Sequence, residues 1–82
     1  MPSVSVLYFA QVRDRCGRDS DTITLPTSVT PDTVLTSVIA LHPTHELLIQ
    51  RCRVAINHSF ISSAVNIDEH SEIALIPPVS GG

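Results

Sequence analysis

Apolar and polar residues alternate along two stretches near the start of the chain, and this alternation is the period of a β-strand. Residues 4–9 alternate over their whole length, and residues 22–26 alternate again before ending at a proline. Between them, residues 10–19 are charged, contain a glycine and lack periodicity. We therefore predict two strands that form a long hairpin, with residues 10–19 as its loop.

The strongest local signals predict a helix that begins after Thr30. Thr30 is a suitable N-cap, Pro31 suits the first helical position, and Asp32 favours the positive end of the helix dipole. Val29 and Val34 flank this cap as a hydrophobic staple. An apolar stripe follows and should face the core: Val34, Leu35, Val38, Ile39 and Leu41. Pro43 disfavours helix at His42, so the helix should end there.

The second half of the chain predicts short elements. Residues 44–50 are consistent with another short helical turn, and residues 53–57 and 59–62 with two strands joined at Asn57 and His58. Residues 63–71 are polar and predicted to be a loop anchored by Val65 and Ile67, and residues 73–76 are predicted to be the last strand. This order predicts an α+β fold of the β-grasp (ubiquitin-like) type. It has a mixed sheet of about five strands, one main helix across one face, and parallel first and last strands at the centre.

The strand period also predicts an apolar patch on the helix-free face of this sheet. If Val4, Val6, Tyr8, Ile73 and Leu75 face the helix, their strand neighbours face away from it. Those neighbours are Leu7, Phe9, Ala74 and Ile76. Exposed apolar patches commonly mark partner surfaces, so we predict an interface here. Arg13 could help to dock a partner beside Phe9, and Asp14 could equally be a plain surface residue.

Composition narrows the function classes. The chain has 82 residues and a formal net charge of −3, and its positive residues are five arginines with no lysine. We expect a single domain over residues 1–82, with residues 77–82 as a projecting tail. Without a basic cluster, nucleic acid is not an expected partner. No apolar run approaches the length of a membrane span, so we expect a cytosolic protein.

The end of the chain is its most informative stretch. Pro77 and Pro78 cannot continue a sheet interior and should form a semi-rigid spacer. Six residues beyond Ile76 reach at most about 20 Å, enough to enter a deep pocket of another protein. Gly81 and Gly82 lack Cβ atoms, so a partner's backbone can close around them. We predict a functional tail in which Pro77, Pro78, Val79, Ser80 and Gly81 thread into a partner and Gly82 carries the reactive carboxylate.

Two blocks of the sequence resemble the small subunit of molybdopterin synthase. One runs Val-Leu-Tyr-Phe-Ala-Gln-Val-Arg-Asp from Val6 and is followed by Gly17. The other runs Glu-Ile-Ala-Leu-Ile-Pro-Pro-Val-Ser-Gly-Gly to Gly82. Length and element order also fit that family, so the resemblance covers essentially the whole chain. A double-glycine end alone is shared with ubiquitin-like modifiers and with the thiamine-pathway sulfur carrier.

The resemblance implies a sulfur carrier. In such families an E1-like activating enzyme uses ATP to adenylate the terminal glycine, here Gly82, and sulfur then displaces AMP to leave a thiocarboxylate. The tail enters the large synthase subunit, where the sulfur attacks cyclic pyranopterin monophosphate and two transfers build the molybdopterin dithiolene. The resemblance also implies a heterotetramer of two small and two large subunits. Since this chain has no phosphate-binding motif, ATP should be bound by the activating enzyme, and we expect no cofactor on this chain.

The chain departs from the family in two places. The family often has bulky aromatic residues before the two prolines, where this chain has Leu75 and Ile76. The turn before the last strand usually contains glycine, whereas here it contains His70. These changes concern affinity for the partner rather than the chemistry of the tail.

Other candidate chemistry is weak. Cys16 and Cys52 could carry a persulfide, but neither has a neighbouring cysteine or an activating cluster. His42 and His45 could begin a metal site, although two further ligands are missing, and we expect no metal. His58 and His70 should be solvated. Two other functions stay open: a ubiquitin-like protein modifier or carrier for thiamine or tRNA thiolation, and a β-grasp interaction module with an inert terminus.

Overall fold

The computed structural model describes residues 1–78. Its strands and helices are β1 (Ser3–Tyr8), α1 (Ala10–Cys16), β2 (Ser20–Thr24), β3 (Ser28–Val29), α2 (Pro31–Leu41), α3 (Glu46–Gln50), β4 (Arg53–Ile56), β5 (Ser59–Phe60), β6 (Val65–Asn66) and β7 (Glu72–Ile76). A 3₁₀ turn, Pro43–His45, lies between α2 and α3. No helix in this part of the chain is long and apolar enough to span a membrane.

Five strands form the main sheet in the order β2-β1-β7-β4-β5. The first and last strands of the chain, β1 and β7, pair in parallel, and the other neighbours are antiparallel. The predicted mixed sheet with parallel first and last strands is therefore confirmed. It places the end of β7 beside the end of β1, so Ile76 leaves the sheet next to Phe9.

The predicted main helix is confirmed, together with its cap. The Thr30 hydroxyl accepts a hydrogen bond from the Thr33 backbone N–H at 3.2 Å, and the Thr33 hydroxyl accepts one from the Thr30 N–H at 3.4 Å. This reciprocal pair satisfies donors that the first helical turn leaves free. Val34 and Val38 of α2 are completely buried against the sheet. The predicted apolar stripe was wrong at its last position, because the Leu41 side chain is 49% exposed.

The prediction of a loop over residues 10–19 was wrong, because α1 occupies most of it. This seven-residue helix buries only Val12 and half-buries Cys16 one turn later. Gly17 ends it with φ 69°, a left-handed conformation that glycine adopts without strain, and its N–H donates to the Arg13 carbonyl at 2.9 Å. A helix with one buried contact per turn shows almost no hydrophobic period, which is why its sequence did not reveal it.

The sequence also did not predict a second, two-stranded sheet. β3 and β6 pair antiparallel, with Val29 opposite Val65 and Ser28 opposite Asn66. β6 lies inside residues 63–71, which were predicted to be a loop, although the predicted anchors hold: Ile67 is buried and Val65 packs against the core. Strands of two residues are too short for alternation to be visible in the sequence.

A half-buried polar cluster joins the C-terminal end of α2 to the sheet. The Asp21 carboxylate accepts hydrogen bonds from the Tyr8 hydroxyl at 2.8 Å and from Nε2 of His42 at 2.8 Å, and Arg18 Nε lies 2.9 Å away. Burial acts to raise the pKa of Asp21, but its hydrogen bonds to His42 and Tyr8 and the charge of Arg18 outweigh burial and lower it. Burial, followed by the contact with Asp21, raises the pKa of Tyr8.

We expect Asp21→Ala to lower the free energy of unfolding by about 2 kcal/mol at pH 7, since it leaves the buried Tyr8 hydroxyl and the half-buried His42 ring without an acceptor. For a chain of this size that corresponds to a melting temperature lower by roughly 10 °C. A carboxyl whose pKa is lowered on folding stabilises the fold above its unfolded pKa, about 3.9, and the effect is lost as the pH falls through the folded value.

Thermal unfolding by circular dichroism at pH 7 and pH 3 measures this effect, with the exposed Asp19→Ala as the matched control. The deficit of Asp21→Ala should shrink at pH 3, and Asp19→Ala should match the parent chain at both values. An equal deficit for the two variants, or one that does not change with pH, would contradict the role assigned to the cluster.

Candidate functional site: the groove at the root of the tail

The helix-free face of the main sheet carries a row of apolar side chains that crosses four strands. The register pairs Leu7 of β1 with Ala74 of β7, Ala74 with Ala55 of β4, and Ala55 with Phe60 of β5. Paired residues of neighbouring strands project from the same face. Two alanines in the centre and larger side chains around them leave a shallow depression.

This depression is a groove of about 250 Å³ beside the end of β7. Its lining is mainly apolar, with two titratable side chains at one end: Phe9, Ala55, His58, Phe60, Glu72, Ala74 and Ile76. Phe9 and Phe60 are 41% and 51% exposed, so two aromatic rings are available to a partner. We call this surface the tail-root groove.

A positively charged side chain, Arg53, stands at the edge of the tail-root groove. The guanidinium carbon of Arg53 lies 3.8 Å from the centroid of the Phe60 ring, which is cation–π geometry. The register places Arg53 opposite Ile76, the last residue of β7. A positive charge therefore lies close to the point where the chain leaves the sheet.

A tight turn sets the position of Phe60. Asn57 and His58 both have positive φ, 52° and 72°, as the type I′ turn of a two-residue hairpin requires. The Asn57 side chain also accepts a hydrogen bond from the Glu72 N–H at 2.9 Å, which fixes the turn against β7. This hairpin folds Phe60 back over Ala55. The turn was predicted from the sequence, but its consequence for Phe60 was not.

The predicted partner residues do not all meet in the groove. Phe9, Ala74 and Ile76 line it. Leu7 is half-buried in the same row of the sheet but is not among the lining residues. Arg13 lies on the exposed side of α1, away from the groove lining. Ala55, Phe60, His58 and Glu72 also line the groove and were not among the predicted site residues.

The root of the tail is partly inside the body. β7 ends at Ile76, and Pro77 is buried whereas Pro78 is exposed. The projecting segment was predicted to start at Pro77, and its extent stays a prediction. The predicted threading residues Val79, Ser80 and Gly81 and the predicted reactive Gly82 lie outside the described residues.

Comparison with known proteins decides the family. The profile of the ThiS family matches residues 6–82. The chain belongs to the ThiS family. A molybdopterin synthase sulfur carrier subunit of Mycosarcoma maydis is 39% identical over 92 aligned positions, which cover 99% of this chain and 95% of the relative. The resemblance to small subunits of molybdopterin synthase is therefore confirmed.

Solved structures confirm the β-grasp fold of this ThiS-family chain. The small archaeal modifier protein 1 of Methanosarcina acetivorans superposes with a TM-score of 0.79 at 23% identity, covering 100% of this chain and 98% of that one. A complex of subunits 1 and 2 of the molybdopterin-converting factor of Helicobacter pylori contains a chain with a TM-score of 0.69 at 18% identity, covering 98% and 99%. At such low sequence identities, the structural similarity shows the fold alone.

Neither thiol of this ThiS-family chain is placed to act as a nucleophile. Cys52 is buried, and burial, followed by the charge of Cys16, raises its pKa to about 11. Burial and then the charge of Asp21 raise the pKa of Cys16. Since the thiolate is the reactive form, both cysteines are less reactive than a free thiol. The persulfide alternative considered from the sequence gains no support.

The histidine pair considered as the start of a metal site is not assembled into one. His42 contacts Asp21 and stacks edge-on against Tyr8, with ring centroids 5.9 Å apart. Within residues 1–78, no group of three His, Cys, Asp or Glu side chains could hold a metal ion. His45 lies in the 3₁₀ turn and lines a different pocket, beside α3.

Proposed function

We propose that this chain is the sulfur carrier subunit of a molybdopterin synthase and that its reactive group is the carboxylate of Gly82. The observation that carries the proposal is the full-length match to a sulfur carrier subunit at 39% identity. The tail-root groove supports it, because it puts an exposed apolar surface beside the strand from which the tail leaves. In this proposal the chain is not an enzyme alone but supplies the sulfur-donating part of one.

The chemistry starts from a group that is unreactive by itself. A carboxylate is a poor electrophile, so one Gly82 oxygen first attacks the α-phosphate of ATP and expels pyrophosphate. The resulting acyl-adenylate has AMP as a good leaving group. Hydrosulfide from a sulfur donor then attacks the acyl carbon, the C–O bond to AMP breaks and AMP leaves, and loss of the S–H proton gives the thiocarboxylate. We assign ATP binding and this activation to an E1-like partner.

The thiocarboxylate is then a nucleophile at the end of a tether. Its sulfur attacks a side-chain carbon of cyclic pyranopterin monophosphate on the large subunit, and a C–O bond at that carbon breaks so that the oxygen leaves as phosphate or water. Hydrolysis of the resulting thioester leaves sulfur on the pterin and restores the Gly82 carboxylate. Two such transfers supply the two sulfurs of the dithiolene. Tethering holds the sulfur at a high effective concentration, which replaces a slow encounter in solution.

The fold supplies the docking part of this scheme. We propose that the large subunit covers the tail-root groove, with Phe9 and Phe60 as aromatic anchors and Arg53 at the rim. The five residues from Pro78 to Gly82 can then reach at most about 17 Å into a pocket of that subunit. A heterotetramer of two small and two large subunits is the assembly we propose.

The test is the intact mass of the chain after incubation with an activating enzyme, ATP and a sulfur donor. Replacement of one carboxylate oxygen by sulfur should add about 16 Da, and omission of ATP should prevent the gain. Covalent adducts to lysines of other proteins would instead favour a ubiquitin-like modifier. An unchanged mass with an activating enzyme that is active on a known carrier would favour an interaction module with an inert terminus.

A further inference from the structure

A second pocket shares no lining residue with the tail-root groove and is lined by more polar side chains, two of them arginines. It has a volume of about 370 Å³ and lies between α1 and the segment that contains the 3₁₀ turn and α3. Five of its lining side chains can donate hydrogen bonds: Gln11, Arg15, Thr44, His45 and Arg51. No carboxylate is among its lining residues. Two guanidinium groups with no carboxylate beside them suit an anionic ligand.

The two arginines are uncommitted within residues 1–78. Neither Arg15 nor Arg51 forms an ion pair there, whereas Arg18 is paired with Asp21. Arg13 and Arg53 form no ion pair in this part of the chain either, so what distinguishes Arg15 and Arg51 is that both line one pocket and that no carboxylate lines it. Arg15 lies in the last turn of α1 and Arg51 caps α3. Helix C-termini favour cations, but this does not explain why both arginines line one pocket.

The remaining lining is apolar. Leu47 is 74% exposed and Leu48 is half-buried against the core, and both border the same pocket. The volume is larger than a single tetrahedral oxyanion requires and lies within the range of small-molecule sites. Planar guanidinium groups match phosphate oxygens better than an ammonium does.

We propose that this pocket binds a phosphate-class oxyanion, held by Arg15 and Arg51, with the two leucines contacting any apolar group that the phosphate carries. The proposal is independent of the sulfur-carrier function. The candidate ligands are free phosphate and a phosphate monoester. Both contain the oxyanion, and only the monoester carries an apolar group.

Nuclear magnetic resonance titration of the full chain tests the proposal at constant ionic strength, set with sodium chloride. The probes are inorganic phosphate, phenyl phosphate as a monoester with an apolar ring, and phenol as the ring without the oxyanion. We expect saturable shifts of the amide signals of Gln11, Arg15 and Leu48 with both phosphates and none with phenol. Tighter binding of phenyl phosphate identifies a monoester site, and equal binding identifies a free phosphate site.

Three variants sharpen the test. Arg15→Gln and Arg51→Gln should each weaken binding at least about tenfold, because a charge-assisted hydrogen bond is lost. Arg13→Gln is the matched control, since it removes the same charge from the same helix two residues away, on another face. It should change the dissociation constant less than about twofold. Shifts that never saturate, or an equal loss in all three variants, would overturn the proposal. The spectra outside the pocket report whether each variant is folded.

Discussion

Deletion of Gly82 is expected to abolish formation of the dithiolene, with a loss of at least about a thousandfold, because the variant lacks the atom that carries sulfur at the required reach. The fold should persist, since the core lies within residues 1–78 and the last strand ends at Ile76. We expect the melting temperature to change by less than about 2 °C, as for other substitutions outside the core. Affinity for the large subunit should fall far less than activity.

The matched variant is Gly82→Ala, which keeps a carboxylate at the same position but adds a Cβ. We expect it to retain some activity, limited by how closely the partner's backbone can surround the end. Synthase assays with purified activating enzyme and large subunit compare the two variants with the parent chain. Full activity of the deletion variant would contradict the placement of the reactive group at Gly82.

The second large effect concerns the tail-root groove. Phe9→Ala and Phe60→Ala should each weaken binding to the large subunit about 10- to 100-fold, the range of buried aromatic anchors at interfaces. Phe60 should have the larger effect, because its loss also frees Arg53 from its 3.8 Å contact with the ring. Stability should change little, since both rings are about half exposed.

Leu41→Ala is the control for this experiment. Leu41 is exposed to a similar extent, 49%, but lies at the end of α2 on the opposite side of the sheet. Isothermal titration calorimetry should show that Leu41→Ala binds the large subunit with the same affinity as the parent chain. A large loss of thermal stability in the phenylalanine variants with unchanged affinity would mean that the groove is structural and not an interface.

The sequence predicted the elements in which apolar residues recur with a constant period over several helical turns or along a whole strand. The alternation of β1 and β7 set both the buried face and the apolar patch on the other face. The cap at Thr30, with Pro31 after it, fixed the start of α2 to the residue. Each of these signals is local, so a single sequence is enough to reveal it.

The elements that the sequence missed depend on contacts between distant residues. α1 packs through Val12 and Cys16 alone, and β3 and β6 are strands only because they pair with each other. Phe60 became a site residue through the register of a two-residue strand against β4. The spacing of Val12 and Cys16, followed by Gly17, was the one available hint of α1, since it places two apolar residues one turn apart before a C-cap.

We propose that the folded body delivers a reactive chain end to its partner. A single-turnover experiment tests this delivery. The thiocarboxylated chain is mixed with the large subunit and cyclic pyranopterin monophosphate, and the intact mass of the chain is measured by mass spectrometry over time. Fragmentation of the same samples locates the added mass along the chain. The gain of about 16 Da should lie in the fragment that contains Gly82 and should disappear at the rate at which sulfur appears on the pterin. Sulfur on the pterin while the chain keeps its added mass, or added mass located on Cys16 or Cys52, would contradict the account.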